Sequence, residues 1–184
     1  MPKYSARRIG KMLSEVDTAD TSDAKGAALE ALSSYIFATV PGIRVAERNV
    51  LDGNRAHELD IVLWNDNRTS ELYFLEAIVI VECKATDRRV GSHEVGWFVR
   101  KLQDRGAHFG ILVALKGITG DGQHSAYTEV SNALIRDKIR ILLLTREEIE
   151  NLTNTRALAD LLTEKLLQLT VKQTVHIEAH APAD

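Results

Sequence analysis

The sequence predicts an α/β domain in which a mixed β-sheet is flanked by helices on both faces. Three observations carry this. Apolar strand-like runs cluster between residues 43 and 84, close enough for antiparallel pairing. Beyond residue 90 strands and helices alternate, with helices long enough to serve as parallel crossovers. The run Ile139-Arg-Ile-Leu-Leu-Leu144 is almost wholly apolar, as expected of a strand covered on both faces.

The elements follow in order. Ile9, Met12, Leu13 and Val16 recur at helical spacing and predict a first helix over part of 4–16. Residues 17–23 are polar and break it. A second helix is expected over 23–39, with Ala28, Leu29, Leu32 and Ile36 as its apolar stripe. Pro41-Gly42 stops it. Strands are expected at 43–50 and 57–64, joined by a turn at Asp52-Gly53-Asn54. Asn65 to Arg68 turns the chain, and 72–84 reads as one long strand bent near Glu76-Ala77. Ser92 can cap a helix over 93–105 that buries Val95, Phe98, Val99 and Leu102, and Gly106 ends it. A strand at 108–115, a loop at 117–122, a helix over 123–137 and a strand at 139–144 complete the sheet. Thr145-Arg-Glu-Glu148 has the capping-box pattern and opens a last helical region running to Leu169. The organisation read from this is an N-terminal helical segment at 1–22, a core domain at 23–169 and a C-terminal tail at 170–184.

Composition narrows the function. The chain has 184 residues, enough for one domain with a sizeable core, and 45% of them are hydrophobic. No stretch is long and apolar enough to span a bilayer, and the N-terminus lacks the apolar core of a secretory signal. The single cysteine excludes an intrachain disulfide and a cysteine-based zinc site, which suits a reducing, cytoplasmic setting. A formal net charge of −3 speaks against a non-specific nucleic-acid coat, but not against an enzyme that needs only a local phosphate-binding patch. Aromatics are 5%, too few for a stacking platform along a single strand. There is no Walker sequence, no dinucleotide-binding glycine pattern, no Gly-x-Ser-x-Gly elbow and no His-Glu-x-x-His pair.

The chemistry concentrates at Ile78-Val-Ile-Val-Glu-Cys-Lys84. Strand periodicity puts Glu82 and Lys84 on one face and turns Cys83 toward the core. A bare Glu-x-Lys usually marks a strand leaving the core, with the two charges pairing. Asp60 changes that reading, because it lies in a second apolar strand run, Glu58-Leu-Asp-Ile-Val-Leu63. A carboxylate there is costly unless paired or metal-bound. Asp60, Glu82 and the Cys83 carbonyl form an oxygen donor set suited to Mg²⁺ or Mn²⁺. Lys84 is placed to orient a water and offset phosphate charge, which is the residue set for metal-dependent phosphodiester hydrolysis. Glu30, in the second helix one turn after Gly26, is a further candidate ligand. His57 and His93 are possible shuttles or phosphate contacts, against the plainer reading of polar surface residues. Arg88, Arg89, His93, Arg100 and Lys101 are the candidate nucleic-acid contacts, against the alternative of a solvated charged helix face.

These residues resemble the restriction-endonuclease-like superfamily with the Asp…Glu-x-Lys motif, and its Mrr-like branch in particular. The resemblance spans about 25–152. Glu30 in Gly-Ala-Ala-Leu-Glu, Asp60 in Glu-Leu-Asp-Ile, and Glu82 and Lys84 in Val-Glu-Cys-Lys match the motif positions. Gly91 to Phe98 and Gly106 to Val113 are similar to the following helix and strand. The resemblance implies a restriction-endonuclease-like core and a Mg²⁺-dependent endonuclease that hydrolyses DNA in restriction, defence or repair. It also implies a homodimer. No target-reading segment is recognisable beside the core, so the expectation is either low sequence selectivity or recognition supplied by a separate partner. The chain departs from the pattern in having no glutamine in the first turn of the helix after the signature, where His93 and Glu94 stand. Two alternatives remain open at this point: a non-catalytic member of the fold that binds nucleic acid or protein, and an RNA-cleaving nuclease. The leucine-rich last helix, with Leu158, Leu161, Leu162, Leu166, Leu167 and Leu169, is the candidate for part of the dimer contact, against the alternative of a buried core helix.

Overall fold

The computed structural model describes residues 1–51, 58–120, 125–173 and 175. Within them, helices α1 (Ala6–Thr18) and α2 (Ser22–Ala38) precede strands β1 (Ile43–Leu51), β2 (Glu58–Asn65) and β3 (Ile78–Lys84). Then come α3 (Ser92–Gln103), β4 (Phe109–Ala114), α4 (Ala126–Asn132), β5 (Arg140–Leu144), α5 (Arg146–Glu150) and α6 (Thr155–Val171). The strands form one sheet in the order β1-β2-β3-β4-β5. The first three are antiparallel neighbours, and β3, β4 and β5 are parallel. This is the expected mixed sheet. Its sense changes at β3, the strand that carries Glu82 and Lys84.

Local chemistry sets the helix starts. Ser5 accepts the Arg8 N–H and Thr21 accepts the Ala24 N–H, so each opens its helix with a side-chain cap. Ser92 does not cap α3 as expected. Gly91 is the capping residue, and the Glu94 carboxylate accepts its N–H at 2.9 Å. At Thr145 the expected capping box is present, with Glu148 accepting from both the Thr145 N–H and its hydroxyl.

α2 packs on the face of the sheet that carries Cys83, and Cys83 Sγ lies 3.4 Å from Ser33 Oγ in that helix. The opposite face receives α3. Gly110 on β4 permits this, because a Cβ there would fall 2.7 Å from Phe98 Cζ and 2.9 Å from Leu102 Cδ1. The closeness brings the third turn of α3 down onto the polar end of β3. Gly42 has a different reason to be glycine: its φ is +79°, and a Cβ would meet the Ser70 backbone nitrogen at 2.8 Å.

Three expected elements differ. Residues 72–77 are not part of a long strand, which begins only at Ile78. The buried Asn65 amide donates to the carbonyls of Leu72 (2.9 Å), Glu76 (3.3 Å) and Leu75 (3.4 Å), wrapping the segment into turns that bury Leu72 and Leu75. The expected helix over 123–137 is shorter. Ser125 caps α4, and the chain widens into a π-helical turn at Ala133–Asp137 before Lys138 adopts a φ of +59°. The last helical region is two helices. Tyr4 donates its N–H to Thr153, Thr155 donates to Pro2, and Asn154 caps α6, so the backbone between α5 and α6 is used by the N-terminus. A buried pair, Lys165 Nζ to Glu148 Oε1 at 2.5 Å, then ties α6 to α5. Of the leucines expected at a dimer contact, Leu158, Leu162 and Leu169 lie in the core, and Leu167 is the exposed one. The expected turn at 52–54, His57, part of the loop over 117–122 and most of the tail lie outside the described residues.

Candidate active site

Asp60 and Glu82 meet because of strand register. β2 and β3 pair antiparallel with Ile61 opposite Val81, so the next pair toward the open end of the ladder is Asp60 and Glu82. Directly opposite residues point to the same face. Asp60 Oδ2 also accepts the Cys83 backbone N–H at 2.7 Å, which pins the carboxylate to β3. Burial, and then the charge of Glu82, push the Asp60 carboxyl up to about 6, against the Cys83 hydrogen bond and the nearby lysines.

Glu82 is 1% exposed and lies between two ammonium groups. Lys84 Nζ is 2.8 Å from Oε1. Lys101 Nζ, arriving from α3, is 2.9 Å from Oε1 and 2.8 Å from Oε2. Burial alone would lower the Lys84 pKa. The charge and hydrogen bond of Glu82, with Asp60 and Glu94 beyond, outweigh it and hold the ammonium above its ordinary value. Lys84 is therefore a cation at neutral pH, suited to orienting water and phosphate and unsuited to acting as a neutral base.

Cys83 is buried, and burial pushes its thiol well above the usual range, with Asp60, Glu30 and Glu82 adding to the rise. A thiol so held is inert as a nucleophile. Glu30 comes from the α2 side, and its Oε2 accepts from Arg48 Nη2 on β1 at 3.1 Å. Glu30, Asp60 and Glu82 were expected to converge on a single metal position. Among the described residues no group of three or more His, Cys, Asp or Glu side chains is gathered as a metal cage. The reason is local: Arg48 holds Glu30, and two lysines hold Glu82.

The expected phosphate contacts separate. Arg88, Arg89, His93 and Arg100 are exposed. Arg88 is held by Glu94, with Nη2 to Oε1 at 2.5 Å. Arg89 lines a cavity of about 720 Å³ at the carboxyl ends of β4 and β5, together with Lys116, Thr145 and Arg146. His93 and Arg100 line an open depression on α3 beside Trp97. Lys101 is the correction: it is 5% exposed and faces Glu82, not solvent. The sequence held a faint sign of this. Lys101 follows Phe98 by three residues and precedes Leu102, which places it on the flank of the buried stripe of α3.

The donor chemistry fits a hard divalent cation. Two carboxylates face each other across adjacent strands, and such cations commonly take one or two carboxylates with water and phosphate oxygens. The like charge of Glu82 acts on Asp60, and Lys84 and Lys101 offset it from the other side.

A mixed sheet that presents an aspartate and a Glu-x-Lys pair at the ends of neighbouring strands defines the restriction-endonuclease-like class, an enzyme superfamily acting on nucleic acids. Residues 22–153 match the family model Mrr_cat, described as restriction endonuclease. That is more than half of the chain, and the chain belongs to this Mrr-like family. No curated protein and no solved structure matches it. Among the described residues no helix is long and apolar enough to cross a membrane.

Proposed function

We propose that the protein is a divalent-metal-dependent endonuclease that hydrolyses DNA phosphodiester bonds, in restriction, other defence or repair. The observation that carries this is the pairing of Asp60 with Glu82 across β2 and β3, with Lys84 Nζ 2.8 Å from Glu82. Asp60, Glu82 and the Cys83 carbonyl would hold Mg²⁺ or Mn²⁺, with Glu30 adding negative charge from the α2 side. When bound, the ion supplies Lewis acidity and a water of lowered pKa. The chain's own residues do the rest. Lys84 orients the attacking water and offsets charge on the non-bridging oxygens. Asp60, fixed by the Cys83 N–H, keeps the donor set in register. Arg88, Arg89, His93 and Arg100 hold the backbone phosphates, a role that positions the duplex without reading its sequence. A homodimer would double the surface offered to the duplex and address both strands. Target choice is assigned to a partner chain or another recognition module.

The test is cleavage of plasmid, oligonucleotide DNA and RNA by purified protein with Mg²⁺ or Mn²⁺. DNA should be cut, chelator should stop it, and Lys84→Ala should lose most cutting while keeping most DNA affinity. Wild type and Lys84→Ala behaving alike on every cleavable substrate would instead leave a non-catalytic binding member of the fold. Preference for RNA would reassign the substrate and keep the mechanism.

A further inference from the structure

Lys101 has no part in the site as the motif describes it, yet it contacts both oxygens of the central carboxylate. Its Nζ touches both oxygens of Glu82, at 2.9 and 2.8 Å, and its side chain is 7% exposed. A lysine is held this far from water only where a fixed anion meets it. The position is built: Gly110 lets α3 approach, and Phe98 and Leu102 pack on β4 to either side of Lys101.

With Lys101 counted, the site holds two carboxylates, Asp60 and Glu82, and two ammonium groups, Lys84 and Lys101. Their charges balance without a metal. Both Glu82 oxygens already lie beside an ammonium, so a divalent ion added alone must share or displace a lysine and leaves the pocket with uncompensated positive charge. A phosphodiester carries one negative charge, and the hydroxide left when the attacking water gives up its proton to bulk solvent carries another. The ion, the phosphodiester and the hydroxide together restore the balance.

We propose that Lys101 is a positioning residue that holds Glu82 in the place a metal would, so that the divalent ion binds tightly only together with substrate phosphate. The proposal rests on the nuclease reading of the same site. It assigns Lys101 a role in preventing metal loading, and hence hydrolysis, away from a bound phosphate.

The experiment is calorimetric titration of Mn²⁺ into the full chain without nucleic acid. Wild type should bind weakly. Lys101→Met keeps the length of the side chain and removes its charge, and should bind Mn²⁺ about tenfold or more tighter, the scale expected for one unit charge a few ångströms away at a protein-like effective dielectric. Lys101→Arg keeps the charge and should remain at the wild-type level. A purely structural lysine predicts the opposite for Lys101→Met, unchanged or weaker Mn²⁺ binding, and that result overturns the proposal. If Lys101→Met does not fold in chelator, refolding yield is read with and without Mn²⁺. Rescue by the metal supports the proposal, and failure in both conditions overturns it. Cutting of DNA by wild type reports separately on the nuclease reading, so the two can fail independently.

Discussion

Asp60 Oδ2 accepts the Cys83 backbone N–H at 2.7 Å, and through this bond the carboxylate of one strand is locked to the backbone of the next. The bond extends the β2–β3 ladder past its last regular pair and fixes Asp60 opposite Glu82. Two carboxylates, Glu82 buried and Asp60 partly so, are thereby held together, an arrangement that favours the neutral form of one of them.

The pH dependence follows with a definite sign. The Asp60 carboxyl is raised from 3.8 to about 6, by burial first and by Glu82 second. A folded-state value above the unfolded one means protonation stabilises the folded chain. That contribution is fully present below the unfolded value and is lost as pH rises through about 6. The metal-free protein should therefore become less stable between about pH 4 and pH 7, by about 1–3 kcal/mol. Asp60→Asn should flatten this part of the profile and stabilise the metal-free protein at pH 7. Urea melts in chelator at several pH values check it. A wild-type profile matching that of Asp60→Asn would remove the argument. Mn²⁺ affinity should run the other way, rising as pH passes 6, because the ion and the proton compete for the same carboxylate.

Glu82 and Lys84 should differ in what their loss costs the fold. Glu82→Ala leaves the Lys101 ammonium buried without its anion, and breaking a buried pair in this way costs about 3–5 kcal/mol. Lys84 is 26% exposed on its side chain, so Lys84→Ala lets water reach Glu82, which keeps Lys101 as well. Its cost should stay near 1 kcal/mol or below, as for partly exposed pairs. Denaturant midpoints of the two variants decide this. Equal midpoints would mean that Lys101 finds another partner when Glu82 is gone. Lys84→Ala is thus the cleaner variant for cleavage assays.

Much of this arrangement was legible in the sequence, and the exceptions have identifiable causes. Strand periodicity and the apolar runs around Asp60 and Glu82 set the register problem before any coordinates, and the sheet solves it with the two residues opposed. Leu72-Tyr-Phe-Leu75 reads as strand because it is a continuous apolar run, but its two leucines serve a turn wrapped around Asn65, a long-range role that local pattern does not carry. Lys101 looked like one more surface cation on a helix with Arg100 and Arg105 nearby. Its burial depends on Gly110, a residue on another element whose missing side chain sets the depth of α3.

Gly110 offers a direct handle on that depth. Gly110→Ala places a methyl 2.7 Å from Phe98 Cζ and 2.9 Å from Leu102 Cδ1, so α3 or its side chains must shift. Overpacking of this kind costs about 1–3 kcal/mol. Because Lys101 lies between Phe98 and Leu102 on the same helix, the shift should also loosen its contact with Glu82. The expected outcome is a lower melting temperature together with altered Mn²⁺ affinity. A drop in stability with metal affinity untouched would show that the helix yields elsewhere and leaves Lys101 in place.

The exposed cations give the last prediction. Arg88 and Arg89 follow the signature strand, and Arg88→Ala/Arg89→Ala together should weaken DNA binding similarly across unrelated sequences, because phosphate contacts carry no sequence information. Each lost phosphate contact should reduce the slope of log affinity against log salt by about 0.9. The two arginines should not contribute equally. Arg88 already pairs with Glu94 and must leave that partner to reach a phosphate, whereas Arg89 is exposed and lines the cavity beyond β4 and β5. Arg89→Ala alone should therefore account for most of the change in slope. Binding isotherms at several salt concentrations, with chelator present to prevent cutting, measure it. A larger effect from Arg88→Ala would mean that the Arg88–Glu94 pair opens when DNA binds, and that Glu94 is released to the active-site side of the loop.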